Sequence, residues 1–425
     1  MMKRNLLKIV LIMGLLGILG FGMASAQSKP ISLSFWHIYT YEPQRSTIDY
    51  FIHQFESKHP NIKIKVNAVE NDPYKTAIKV AMGSGASPDI FFTWAGEYTG
   101  KFVRAKQVLD LTSYFDKNSL AGLLPAAKYP YTFEGRLYGL PLYVDTKYFF
   151  YNKKIFNKLG LTVPKTWDEF IAVCKKLKAD GVIPIAFGNR DKWGACHYIT
   201  IMNQKIVGEK KLQEAYATSG GDFSDPGFVD ALKRLKYLND EGYFSPQPNA
   251  IGEEEVRPLF YSGKAAMIYD WLKFTTKNAA AFSLDYGFFK FPDIPKGKGN
   301  QNFIIGAPSG LAISKDSKYP KEAAQFLKFL ITKENGAYWV SKIGNTSSVL
   351  GAVTEKNAYP DLLTDSSIIQ SATGMVGWLD TVVEVSIASV YLNGIQAILL
   401  GEKTPEQVMK EVADQAQRVK EQLKK

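Results

Sequence analysis

Two hydrophobic rhythms alternate along residues 31–92, and a chain that switches between them at such short intervals has few folds open to it. Residues 31–36 read as a short strand. Ile48, Phe51, Ile52 and Phe55 then fall at i, i+3, i+4 and i+7, one face of a helix. Lys58, His59 and Pro60 end it, with cations in the last turn and a proline stop. Ile62, Ile64 and Val66 alternate with Lys63, Lys65 and Asn67, the pattern of a half-buried strand. Pro73 opens a second helix carrying Ile78, Ala81 and Met82, and Gly83 ends it. Pro88 and Asp89 introduce a further strand at residues 90–92. Strands and helices in strict alternation with short links predict a parallel sheet with right-handed crossovers. In such open α/β sheets, ligands sit outside the carboxyl ends of the strands. The residues expected there are Trp36 and His37, then Glu70, then Trp94 and Glu97.

A second unit starts near Val144, with Asp145 at its opening and a strand at residues 148–151. Thr166 and Glu169 form a capping box for a helix reaching about Ala179. Residues 182–187 read as a buried strand that ends in a polar stretch holding Arg190 and Trp193. After several helices, a strand at residues 265–269 ends in Asp270 and Trp271. Residues 304–314 are apolar but interrupted by Gly306, Pro308 and Gly310. An amphipathic helix with Ala323, Phe326, Leu327 and Leu330 follows. A last helix opens with Thr404 at the N-cap, Pro405 and Gln407, and continues through Val408, Val412 and Val419.

The ends and the composition restrict location and partners. Lys3, Arg4 and Lys8, an apolar run from Ile9 to Phe21, and Ala24-Ser25-Ala26 read as an export signal over residues 1–26. Glycines at 14, 17, 20 and 22 break the run and argue against a membrane anchor, and the absence of a cysteine near the cut argues against a lipid anchor. The expected product is a free exported protein, periplasmic or extracellular, starting near Gln27 and holding about two domains. The formal charge of +11 falls to +8 without the signal, and lysines interleave with acids, so a solvated basic surface is expected and no nucleic-acid site. Cys174 shares an apolar face with Phe170 and Leu177, which suits a buried thiol, although a bridge to Cys196 is allowed outside the cytoplasm. Two cysteines and four dispersed histidines give no zinc spacing, and neither a metal nor another cofactor is expected.

Several short segments together resemble the family 1 extracellular solute-binding proteins of bacterial ABC importers, the maltose-binding protein relatives. They are Phe35-Trp36; Phe55 to Ile62; Gly85 to Ile90; Leu140-Pro141 before Tyr151-Asn152-Lys153; Pro164 to Phe170; Gly263 to Met267; and Gly401 to Glu406. Each is short, but their order and spacing run through the whole mature chain. The resemblance implies an α/β fold of two lobes, each a mainly parallel sheet flanked by helices, with a hinge between. By analogy one lobe spans residues 27–144 plus 299–348, the other 145–298 plus 349–425. It also implies a monomer without catalytic residues that closes over a sugar and hands it to a membrane ABC permease.

A pyranose presents C–H faces and a rim of hydroxyls. Tryptophan offers a broad apolar plate for the faces, and carboxylates or amides bind the rim, the charged ones most strongly. Trp36, Trp94, Trp193, Trp271 and Trp378 sit beside polar residues in segments the family uses for its cleft, with Asp270 and Asp380 close to the last two. Five plates suggest an oligosaccharide. Trp167 and Trp339 read as packing, and Asp89 as structural because it precedes its strand. For each plate the alternative is a core aromatic, and for Glu70, Glu97, Asp145, Arg190 and Asp270 a locally paired charge. Arg190 suits vicinal hydroxyls or an acidic ligand. His37 suits a hydroxyl or a structural bond. Gly306 and Gly310 allow backbone to approach a ligand or simply mark a bulge. The main rival is a secreted glycoside hydrolase, which needs two carboxyl groups about 5–5.5 Å or about 6.5–9.5 Å apart. No such pair, nucleophile elbow or P-loop announces itself. A second rival binds a small anion such as a polyol phosphate, or iron, for which 23 tyrosines leave room.

Overall fold

A computed structural model describes residues 30–217 and 220–423. Residues 1–26, read above as an export signal, lie outside the described residues, and among those described no helix is long and apolar enough to cross a membrane.

The expected opening is present. Strand β1 (Ile31–His37), helix α1 (Gln44–Lys58), strand β2 (Ile62–Ala68), helix α2 (Asn71–Gly83) and strand β3 (Ile90–Trp94) follow in order. β1 pairs in parallel with both β2 and β3. The apolar face of α1, Ile48, Phe51, Ile52 and Phe55, is buried. Asp89 is structural: it accepts hydrogen bonds from the Ser34 backbone N–H and hydroxyl, both 2.8 Å, and from Ser317. Helix α3 (Glu97–Arg104) continues from β3.

The second unit departs from the expectation. One continuous strand, β4 (Leu140–Asn152), runs where a break near Val144 was anticipated. After it come α4 (Trp167–Ala179), β5 (Ile183–Ala186), α5 (Trp193–Val207), α6 (Gly227–Asp240), α7 (Arg257–Tyr261), β6 (Ala265–Trp271), α8 (Leu272–Ala281) and β7 (Tyr286–Phe289). The Thr166–Glu169 capping box closes as expected. The interrupted stretch is a strand, β8 (Phe303–Ile313), with a bulge between Ser309 and Gly310 that accommodates Pro308 and the glycines. The chain ends with α9 (Pro320–Leu330), α10 (Lys333–Ile343), the short β9 (Thr346–Ser347), α11 (Pro360–Ser371), β10 (Gly374–Val376), α12 (Leu379–Val382), α13 (Val385–Leu399) and α14 (Pro405–Leu423). Thr404 and Gln407 exchange the capping bonds of α14.

The strand path is β2-β1-β3-β8-β4-β6-β5, with β7 and β9 also on β4 and β10 also on β8. Two cores hang on it. Leu33, Phe35, Phe91, Leu140, Leu142, Leu311 and Ile313 belong to one. Phe149, Phe170, Met267, Tyr269, Ile305 and Ala307 belong to the other. β4 and β8 therefore each contribute to both. β4 is almost wholly apolar except for Asp145, Thr146 and Lys147 at its centre, where it leaves one core before entering the next. Those polar side chains have partners at the crossing. Asp365 on α11 accepts from the Thr146 hydroxyl at 2.8 Å, the Tyr148 hydroxyl at 2.7 Å and the Thr346 hydroxyl at 2.5 Å, so one buried carboxylate ties β4 and β9 to a helix. Cys174 and Cys196 are both free and buried, Cys174 among Phe170 and Leu177 as its helical spacing indicates.

Candidate ligand-binding cleft

Between the two cores lies a cavity of about 590 Å³. The first lobe supplies one wall: Trp94 at the end of β3, Lys75 and Asp72 on the first turns of α2, and Tyr41 and Glu70 at the mouth. The second supplies the opposite wall: Trp271 ending β6, Trp193 and His197 on α5, Trp378 before α12, and the loop Glu253 to Glu255. Tyr143, Asp145 and Ser309 on the crossing strands form the floor. Each wall is built largely from strand ends and helix starts, where a parallel arrangement concentrates exposed side chains.

The rings on the second wall are locked together. Trp271 and Trp378 meet edge to face at 4.9 Å, and His197 stands edge-on to both at 5.1 and 5.0 Å. Beneath them lies an ion pair. The Lys147 side chain is fully buried and contacts the Glu253 carboxylate; it also donates to His197 Nδ1 at 2.8 Å. Glu253 in turn accepts from the Trp271 indole N–H at 3.3 Å. Burial alone would raise the Glu253 pKa, but Lys147 and then His197 outweigh it and hold the carboxyl well below its usual range. Burial, reinforced by Lys147 and opposed by Glu253, lowers the His197 pKa. This network sets the plane that Trp271 presents to the cavity.

Among the described residues, three paired cations also line the space. Lys273 donates to Asp145 at 2.7 Å and lies 5.6 Å from the rings of both Tyr143 and Trp271. Asn345 holds the same Asp145 oxygen at 3.3 Å. Arg190 forks onto Glu255 with two bonds of 2.7 Å and reaches Asp191 at 3.4 Å. Lys75, from the first wall, bonds Asp380 of the second at 3.2 Å, stands 3.5 Å from Asp72 and lies over Trp94. Burial disfavours the Lys75 ammonium, but Asp380 and then Asp72 more than offset this, and its pKa is raised. Cys196 donates to the other Asp380 oxygen at 3.7 Å.

Of the residues singled out from the sequence, Glu70, Trp94, Asp145, Arg190, Trp193, Trp271, Trp378 and Asp380 line this cavity. Five do not. Along β1, Phe35 and His37 face the first core while Trp36 points to the other side and packs half-buried against that core's edge. His37 sits among Phe35 and Tyr39, accepts the Tyr39 backbone N–H at 3.2 Å, and has a buried Nε2 with no partner among the described residues; burial lowers its pKa to about 4. Glu97 is buried in the first turn of α3, where Arg104 pairs with it. Asp270 is one position out of phase with Trp271, so strand alternation buries it against Arg257 at 2.8 and 3.1 Å. At Gly306 a Cβ would lie 2.8 Å from the Asp145 carbonyl and 2.9 Å from Met375 Sδ, so the glycine serves strand approach.

Sequence reasoning missed Lys75, Tyr143, His197, Lys273 and the Glu253–Glu255 run. A usable signal existed for Lys273, which follows Trp271 by two positions, and for the three consecutive glutamates. None existed for Lys75 or His197, whose partners are distant in sequence. Trp167 and Trp339 pack in the cores as expected, the Trp339 indole N–H donating to Asn345 at 2.6 Å.

Comparison with known proteins agrees with this geometry. A family model described as bacterial extracellular solute-binding protein matches residues 39–337. An uncharacterised ABC transporter extracellular-binding protein of Pyrococcus horikoshii is 28% identical over 313 residues, covering 71% of this chain and 68% of that one. A chitin oligosaccharide binding protein of known structure is 26% identical with a TM-score of 0.82, covering 92% of this chain and 99% of its own. A structure described with xylan utilization by Caldanaerobius polysaccharolyticus is 29% identical with a TM-score of 0.80, covering 91% of this chain and 100% of its own.

Proposed function

This chain belongs to the bacterial extracellular solute-binding proteins, and on that premise we propose that it captures a sugar, specifically an oligosaccharide, between its lobes and delivers it to a membrane ABC permease. It acts as an exported monomer without catalytic chemistry, with lobes of residues 27–144 plus 299–348 and 145–298 plus 349–425. The observation that carries the reading is the cavity wall: Trp94 from one lobe faces Trp193, Trp271 and Trp378 from the other, with hydrogen-bonding charges between them. Indole plates bind the C–H faces of a pyranose, and the charged groups bind its hydroxyl rim. The proposed contacts are Glu70, Trp94, Asp145, Arg190, Trp193, Trp271, Trp378 and Asp380.

Capture of this kind works through closure. A ligand that touches both walls stabilises the closed form by its differential affinity. A glycoside hydrolase is the weaker reading, because its general acid needs a raised pKa. Glu253 and Glu255 are instead held low, Glu253 by Lys147 and His197 against burial, Glu255 by the Arg190 hydrogen bond. The test is a thermal-shift and calorimetric screen over mono- and oligosaccharides. A ligand at about 100 times its Kd adds about 2.7 kcal/mol, and scattering should show compaction at saturation. A flat response to every carbohydrate, or shorter products after incubation, would overturn the reading.

A further inference from the structure

The charge of the cleft opposes the charge of the molecule. The whole chain carries +11, yet among the described residues eight carboxylates line the cavity against three cations, Lys75, Arg190 and Lys273. Each cation is already bonded to a carboxylate of the cleft at 2.7–3.2 Å: Lys75 to Asp380, Arg190 to Glu255, Lys273 to Asp145. An acidic ligand would have to share each of these cations with a carboxylate that already neutralises it. The mouth adds to this. Glu70, on the first wall, accepts from the exposed Tyr41 hydroxyl at 3.3 Å. The Glu70 charge, with Glu254 of the opposite wall contributing, raises the Tyr41 pKa, so negative field from both lobes meets at the entrance.

We propose that the cleft discriminates by charge, taking neutral saccharides, favouring those that bear a free amine, and rejecting those that bear a uronate or phosphate. This rests on the carbohydrate reading above and deepens it. Walls of low polarizability focus the field of the carboxylates into the cavity, and like charges brought together there are disfavoured. The net positive surface would by itself attract anions, so non-specific attraction predicts the opposite order.

The experiment is calorimetry on the full-length mature protein with matched probes. Neutral xylo-, cello-, manno- and malto-tetraoses are each compared with a uronate-bearing counterpart, and a glucosamine tetramer with its N-acetylated form. The expected result is that the uronate binds about tenfold or more weakly than its neutral parent, and the free amine more tightly than its acetamide. Raising salt to about 1 M should shrink both gaps. Glu254→Gln should also shrink the uronate gap, and the ratio is read so that a general loss of affinity does not count. A uronate that binds as well as its parent, or better, overturns the proposal and leaves the carbohydrate reading intact. Absence of binding by every probe overturns the carbohydrate reading itself.

Discussion

Glu253→Gln tests whether the buried ion pair organises the second wall. The Lys147 side chain is fully buried and the Glu253 side chain is 6% exposed. Removing one partner of such a pair leaves an uncompensated buried charge and costs about 3–5 kcal/mol. The amide retains shape and an oxygen for the Trp271 indole N–H, so the loss reports the charge. Lys147→Met in the same background removes the stranded ammonium and should recover most of the loss, since an apolar replacement of a whole pair is often close to neutral. The assay is denaturant unfolding of the wild type, both single variants and the double variant at pH 7, read as a double-mutant cycle. In the wild type the low pKa of Glu253 contributes stability above about pH 4.5. That contribution is lost as pH falls through the folded value, and Glu253→Gln should abolish this part of the acid dependence. A single-variant loss below about 1 kcal/mol, or a double variant no more stable than the worse single, would refute the reasoning.

Other consequences are directly measurable. His37 has a folded pKa of about 4 against 6.5 in the open chain, so stability present above pH 6.5 is lost as pH falls toward 4. The advantage of the wild type over His37→Leu should shrink by about 3 kcal/mol between pH 7 and pH 4 in denaturant melts, and a constant difference would argue against burial as the cause. Trp193→Ala removes a half-buried cavity plate outside both cores; it should weaken oligosaccharide binding by about 2 kcal/mol in calorimetry while leaving stability within about 0.5 kcal/mol. Gly306→Ala drives a methyl into the Asp145 carbonyl and Met375, and chemical denaturation should show a loss of about 1–3 kcal/mol. Lys75→Met removes the bond joining the two walls; a loss of about 1 kcal/mol would shift the unliganded protein several-fold toward the open form, visible as a larger radius of gyration.

What could be read ahead of the structure was local. The boxes at Thr166–Glu169 and Thr404–Gln407 announce themselves because both bonds lie within four residues. The face of α1 follows from spacing alone. The path of β4 was hidden because Asp145, Thr146 and Lys147 look like a break, and it takes partners from α5, α8, α11 and the Glu253 loop to make them tolerable inside one strand. Asp270 and Trp271 show the limit of placing residues at a strand end: both were expected in the cleft, and a period of two sends one into a buried pair and the other to the cavity. Trp36 and His37 divide for the same reason, with neither reaching the cavity. Lys75 and His197 have defining partners 305 and 50 residues away in Asp380 and Lys147, beyond the reach of any pattern in a window.

The sharing of β4 and β8 between both cores has a temporal meaning. β3 acquires its inner neighbour only when residues 303–313 exist, because β8 lies between β3 and β4 in the sheet. The amino-terminal half therefore leaves the ribosome with its sheet missing the middle slat. Most of its native pairing has to wait for distant sequence, which makes assembly slow. A fragment cut near residue 144 would carry an unclosed edge along β3 and self-associate instead of folding.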